Sequence, residues 1–205
     1  LVKVTNPAPG GGSTDPLAFA VLNPVPSLTS LSPSSIVAGS PDFTLTLNGD
    51  NFLTTSIVSF NNQQYPATFI SNNQITAIIP ATAVATPGSY LVKVTNLAPG
   101  GGETSPINFT VINPPPTVTL SANPDTILSG ESSTLSWTST NAQSANIDKG
   151  VGNVPLSGSL PVSPVGTTTY TITATGPGGT ATAQVKVTVK ANVEPPQTPT
   201  SGFIE

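Results

Sequence analysis

Residues 1–12, Leu1-Val-Lys-Val-Thr-Asn-Pro-Ala-Pro-Gly-Gly-Gly, return at residues 91–102 with one change, Leu97 standing where the first copy has Pro7. The likeness runs on, from Phe19-Ala-Val-Leu-Asn-Pro to Phe109-Thr-Val-Ile-Asn-Pro. The offset of about ninety residues is the length of one small two-sheet β domain. A period of this size restricts the fold to a row of similar units, each with its own core. The chain is therefore expected to open in the last third of one module, with the next copy complete, as an excerpt from a tandem array.

The secondary structure of each unit follows from hydrophobic spacing. Alternation is plain in Phe43-Thr-Leu-Thr-Leu and Thr169-Tyr-Thr-Ile-Thr-Ala, and no segment keeps an i, i+3, i+4, i+7 apolar stripe for three turns. The 23 Pro and 18 Gly fall between these runs as turns. The fold class is all-β. Between the Asn-Pro marks at Asn23-Pro-Val-Pro and Asn113-Pro-Pro-Pro, strands are expected at residues 27–31, 43–47, 57–60, 67–70, 74–79, 90–95 and 107–111. The inward set from the period of two is Phe43, Leu45, Leu47, Phe52, Val58, Phe60, Phe69, Ile75, Ile78, Val92, Val94, Phe109 and Val111. Proline-rich connectors stop the sheet ladder and hold the chain extended, so a semi-rigid string of modules is expected.

With neither His nor Cys, the chain lacks the commonest general base, the thiol nucleophile and the usual soft metal ligands. Only 7% of residues are charged, so the surface must be wetted by Ser, Thr, Asn and Gln, as in many exported β proteins. Five Lys and Arg in a chain of net charge −4 form no basic stripe, and binding to nucleic acid or to an anionic membrane surface is not expected. No run reaches the length of a membrane-spanning helix, so no membrane insertion is expected within this segment.

The run Leu28-Thr-Ser-Leu-Ser-Pro-Ser-Ser-Ile-Val-Ala-Gly, the corner Leu45-Thr-Leu-Asn-Gly-Asp-Asn-Phe, then Ile78-Ile-Pro, Pro87-Gly-Ser-Tyr and Val94-Thr-Asn before the glycine turn resemble an IPT/TIG domain across residues 25–113. The resemblance implies an immunoglobulin-like sandwich, of a family found in prokaryotic surface proteins as well as in eukaryotic receptors and transcription factors. The basic DNA-contacting loops of the latter have no counterpart here. Gly39 and Gly49 sit where the chain turns, and Phe52 can plug the core.

Residues 114–190 form a different module. Thr117-Val-Thr-Leu-Ser-Ala-Asn-Pro, Ser133-Thr-Leu-Ser-Trp-Thr-Ser, Thr167-Thr-Thr-Tyr-Thr-Ile-Thr-Ala and Ala183-Gln-Val-Lys-Val-Thr-Val resemble bacterial Ig-like and PKD-like domains. Trp137 stands where an immunoglobulin sandwich keeps its core tryptophan. Trp137 and Tyr170 are core candidates, the competing use being a platform for stacking sugars. The organisation is then residues 1–24 as terminal strands of a preceding IPT/TIG module, 25–113 and 114–190 as tandem immunoglobulin-like β-sandwiches, and 191–205 as a Pro/Thr-rich linker.

Candidate chemistry is sparse. Asp42, Asp50, Asp125 and Asp148 are too scattered for the six to eight oxygens of a calcium site, and Asp50 reads as a turn residue bonding its own backbone. Lys3, Lys93, Lys186 and Lys190 lie on alternating strands and read as solvated, the bolder use being an isopeptide cross-link to a strand Asn. Gly100-Gly-Gly and Gly178-Gly lack the context of phosphate loops and read as hairpin turns. Asn108-Phe-Thr is an N-glycosylation sequon on a strand. No catalytic, cofactor-binding or metal residue is assigned.

The expected role is non-enzymatic and architectural, in an extracellular prokaryotic surface protein or filament, with adhesion through many weak contacts. The expected partners are neighbouring modules or copies, including strand complementation through residues 1–24, or cell-surface and matrix glycans. The alternative is an accessory or carbohydrate-binding region of a secreted polysaccharide-active enzyme.

Overall fold

The computed structural model describes residues 1–192, and the chain divides into two compact units, Leu1–Ile112 and a second beginning at Asn113. The Pro/Thr-rich linker expected at residues 191–205 lies, from residue 193 on, outside the described residues.

The first unit contains β1 (Ser27–Ser32), β2 (Ser35–Val37), β3 (Phe43–Asp50), β4 (Ile57–Phe60), β5 (Gln63–Ser71), β6 (Gln74–Ile79), β7 (Gly88–Asn96), β8 (Gly102–Glu103) and β9 (Ile107–Ile112). Their order is β1-β3-β6-β5-β4-β7-β9-β2, with β8 paired to β7. Strand β5 belongs to both layers: Gln63–Pro66 pair with β4, and Ala67–Phe69 and Ser71 pair with β6 around a register shift. All pairings are antiparallel except β2 with β9, where the short β2 crosses to the opposite layer. This is an immunoglobulin-like sandwich.

Its core follows from the alternation of β3, β4, β6, β7 and β9. Leu45 and Leu47, Val58 and Phe60, Ile75 and Ile79, Val92 and Val94, and Phe109 are all fully buried or nearly so. Phe109 stacks on Phe43 at 5.6 Å between ring centres and meets Phe60 edge-on at 5.4 Å. Such aromatic pairing adds about 0.5–1.5 kcal/mol beyond the area it buries.

Two expected core residues are not there. Ile78 is 66% exposed, because Ile75, Ala77 and Ile79 share the inward face of β6 and a neighbour of odd spacing must point out. Phe69 is 38% exposed and stands outside the core cluster, near the end of β5 where the register shifts. Leu31, Ala77, Ile79 and Val84 take core places that the sequence reading left out. Strands β2 and β8 were also unanticipated, being three and two residues long.

The second unit contains β10 (Thr117–Asn123), β11 (Thr126–Leu128), β12 (Ser133–Thr140), β13 (Ser144–Ile147), β14 (Gly152–Val154), β15 (Ser157–Val162), β16 (Thr168–Gly176) and β17 (Gly179–Lys190). One sheet runs β10-β12-β15 and the other β11-β17-β16-β13-β14. The parallel pair β11 with β17 repeats the part played by β2 and β9. Leu135, Trp137, Ile147, Tyr170, Ile172 and Val187 are buried in a core of their own. The indole Nε1 of Trp137 donates to the Pro155 carbonyl at 2.8 Å, so its polar atom is satisfied. Among the described residues no helix is long and apolar enough to cross a membrane.

Candidate functional site

In both units, the segment that leads into the sandwich is fastened to the loops at its near end. In the first unit the Asn23 amide N–H donates to the Pro99 carbonyl at 2.7 Å, and its side-chain Nδ2 donates to the Leu97 carbonyl at 2.7 Å. In return the Gly101 N–H donates to the Asn23 carbonyl at 2.7 Å. A side chain at Gly101 would strike the Asn96 and Leu97 carbonyls, and its φ of +70° also calls for glycine. The bare backbone therefore lets the turn close beneath Asn23.

Beneath this contact lies Asn96, 2% exposed at the end of β7. Its Oδ1 accepts from the buried Ser56 hydroxyl at 2.6 Å, and its Nδ2 donates to the carbonyls of Pro24 at 2.9 Å and Asn51 at 2.7 Å. All three functions of the amide are used, as a buried amide requires. Asn51 reaches further, its Nδ2 donating to the Val25 carbonyl at 3.0 Å.

The second unit repeats the last of these bonds. Asn141 Nδ2 donates to the Pro115 carbonyl at 3.1 Å, across 26 residues, the same separation as Asn51 to Val25. Both asparagines have left-handed backbones, with φ of 54° and 63°, which Asn tolerates better than other side-chain-bearing residues. Gly178 lies so close to the Pro114 carbonyl that a Cβ there would collide with it. These asparagines escaped the sequence reading. Asn6 returns as Asn96 and Asn23 as Asn113, but Asn is too common in turns for either to stand out.

Residues 2–17 fold as a hairpin in the register of residues 92–107. Val2 and Leu17 exchange both backbone hydrogen bonds and Thr5 pairs with Ser13, as Val92 pairs with Ile107 and Thr95 with Glu103. The Thr14 N–H donates to the Val4 carbonyl, and the Val4 N–H donates to Thr14 Oγ1 at 3.1 Å. Thr104 and Val94 make the same two bonds.

The remaining residues singled out from sequence are dispersed. Asp42 accepts from the Ala81 N–H and Asp148 from the Thr171 N–H, each at 2.8 Å, so both tie loop to backbone. Asp50 does not bond its own turn as expected; it accepts from Asn73 Nδ2 and Ser27 Oγ, because the β3 end lies between those neighbours. Among the described residues no three His, Cys, Asp or Glu side chains gather where a metal could sit. Lys93 pairs with Glu103 at 3.1 Å at the surface, and Lys3, Lys186 and Lys190 are exposed. Asn108 is exposed on β9, and Trp137 and Tyr170 are core residues. Burial, then the nearby Asp148 carboxylate, raises the Tyr170 hydroxyl above its ordinary 10.0.

Several solved structures of repeated immunoglobulin-like domains are similar to this chain. The ICAM-5 D1–D4 ectodomain fragment has 18% identity and a TM-score of 0.49, covering 88% of this chain and 52% of that one. The amphioxus IgVJ-C2 molecule has 16% identity and a TM-score of 0.41, covering 75% and 99%. The Yersinia pseudotuberculosis adhesin InvE has 16% identity and a TM-score of 0.34, covering 79% and 58%. Among curated proteins nothing matches. The family model of the IPT/TIG domain matches residues 26–111, the span whose strand order and core are described above, and this segment is an IPT/TIG domain.

Proposed function

We propose that the chain is a non-enzymatic structural segment of an extracellular prokaryotic surface protein or filament, acting in adhesion or matrix building through tandem immunoglobulin-like modules. The observation that carries this reading is the joint built twice. A left-handed Asn fastens the carbonyl of the entering chain in each unit, at the same separation, although the two modules differ in sequence. A device recurring in two successive modules suits a chain whose task is to join modules in series.

The surface supports the same reading. The outer face of β10, β12 and β15 presents Thr117, Thr119, Ser121, Thr134, Ser136, Thr138, Thr140, Ser157 and Ser159, all exposed and uncharged. Some of these hydroxyls bond one another across the strands, Thr117 with Thr140 at 2.7 Å and Thr119 with Thr138 at 2.9 Å. A face of this kind is wetted without charge and makes many weak contacts, with neighbouring copies or with glycans, rather than one strong one. Modules 25–113 and 114–190 are the repeating elements of this reading, and residues 1–24 belong to a module before them.

Negative-stain electron microscopy of the native extracellular material, with the subunit mass measured under denaturing conditions, tests the proposal. Beaded threads of a long chain, or fibres of a subunit near 20.6 kDa, are the expected results. Isolated globular particles confined to the cell interior overturn it.

A further inference from the structure

Residues 1–22 hold the shape of a closing hairpin while exposing the side chains that such a hairpin buries. Val2, Val4, Leu17, Phe19 and Val21 are between 56% and 76% exposed. Their repeat partners Val92, Val94, Phe109 and Val111 are at most 2% exposed, and Ile107 is half-buried against the same core. Five apolar side chains at the positions of that core face form a patch that a folded protein normally covers. The hairpin also leaves an edge unpaired: residues 2–5 correspond to β7, whose other side pairs with β4 through Val58 with Val94 and Phe60 with Val92.

The molecule shows what fits such a face. Over the second copy of the hairpin lie Phe43 and Phe60, which hold the Phe109 ring. At its end stand Ser56, Asn51 and Pro24, which saturate the Asn96 amide. Asn6 occupies the place of Asn96 with its side chain exposed.

We propose that residues 1–22 are the preformed docking hairpin of a further IPT/TIG sandwich, and that its occupant is a stretch of the same polypeptide preceding Leu1, carrying the pattern of residues 25–90. The occupant presents an aromatic pair to Phe19, a strand to the edge of residues 2–5, and to Asn6 a Ser hydroxyl and a backbone carbonyl in the places of Ser56 and Asn51. This rests on the tandem reading proposed above. A second copy of the chain is not the occupant, because the slot formed by its residues 25–90 is already filled by residues 91–112. Exchange would bare one hairpin for each one it covered.

Two full-length variants test the proposal. In the first, a copy of residues 25–90 is placed ahead of Leu1, and hydrogen exchange is followed at the amides of Val2, Val4 and residues 17–21. Protection is expected to rise by about a hundredfold or more, to the level of residues 92–94 and 107–111, with loss of the binding of a hydrophobic dye. Phe19→Asp in this extended chain removes the new protection and leaves that of residues 92–111. Unchanged exchange at residues 2–21, while residues 25–112 keep their protection, overturns the proposal, and so does capture of residues 91–112 by the added segment. The second variant replaces residues 91–112 by the sequence of residues 1–22 and needs no added segment to fold. A cooperative unfolding transition near the parent midpoint is expected, and an unfolded first module overturns the proposal even if the extended chain aggregates. Both variants are independent of the native assembly, so failure of the tandem reading shows in the microscopy and failure of the hairpin shows here.

Discussion

The Ser56 hydroxyl donates to Asn96 Oδ1 at 2.6 Å with both side chains buried, and this bond fixes the amide that holds the entering chain. Asn96 in turn holds the Pro24 and Asn51 carbonyls. Asn96→Ala leaves a buried hydroxyl without its acceptor and two carbonyls without their donor. Each such orphan costs about 1–3 kcal/mol, less where water enters, so a total loss of about 2–4 kcal/mol is expected. Asn6→Ala removes the same residue from the exposed copy and should change stability by less than about 0.5 kcal/mol. Urea unfolding of the two variants checks the contrast, and equal effects would deny Asn96 its anchoring role.

The entering chain also needs glycine beneath it. Gly178 gives the Pro114 carbonyl room that any Cβ would take, and no flexible side chain stands there to yield. Gly178→Ala must therefore move backbone, and a loss of about 1–3 kcal/mol from the second module is expected. Gly166→Ala is the control, since a Cβ there meets nothing. Thermal unfolding of the pair should separate them by several degrees.

The periodicity of two made much of this fold legible, and its failures have a physical source. Leu45 with Leu47 and Val92 with Val94 sit inside because each pair is separated by one polar residue and the parity is unambiguous. Strand β6 reads Gln-Ile-Thr-Ala-Ile-Ile, where adjacent isoleucines force one of them outward, and only the small Ala77 in the inward row reveals that it is Ile78. Trp137 was legible for another reason, its ring being the largest source of buried area the second module owns. The asparagine joints were not legible. Asn23 reaches Leu97 across 74 residues and Asn96 reaches Pro24 across 72, and local sequence carries no trace of bonds that exist only once the sandwich has closed.

Separate cores make separate transitions. The first unit's cluster runs from Leu31 to Val111 and the second's from Ile127 to Val187. Thr46 lies on β3 between Ser32 of β1 and Thr76 of β6, so Thr46→Pro removes a ladder donor from an interior strand. The first module should unfold. The chain's one Trp is in the second core, and its fluorescence should report an unfolding midpoint unmoved by the substitution. A shift of Trp137 emission in step with the loss of the first module would show coupled folding.

Tyr170 ties the second module to pH. Its hydroxyl ionises above the ordinary 10.0 because burial disfavours the anion and the Asp148 carboxylate repels it. The unfolded chain, with an ordinary tyrosine, releases its proton first as pH rises. From there upward the folded state binds more protons than the unfolded state, and stability falls with pH. The contribution is complete below pH 10.0 and is lost from there through the raised folded value. Tyr170→Phe removes the ionising group. Denaturant midpoints of the second module, followed by Trp137 fluorescence, should fall more steeply above pH 10.0 in the parent chain than in this variant. Every other ionisable side chain is the same in both proteins, so the difference between the curves belongs to Tyr170. Parallel curves would mean that the hydroxyl meets solvent as freely in the folded module as in the unfolded chain.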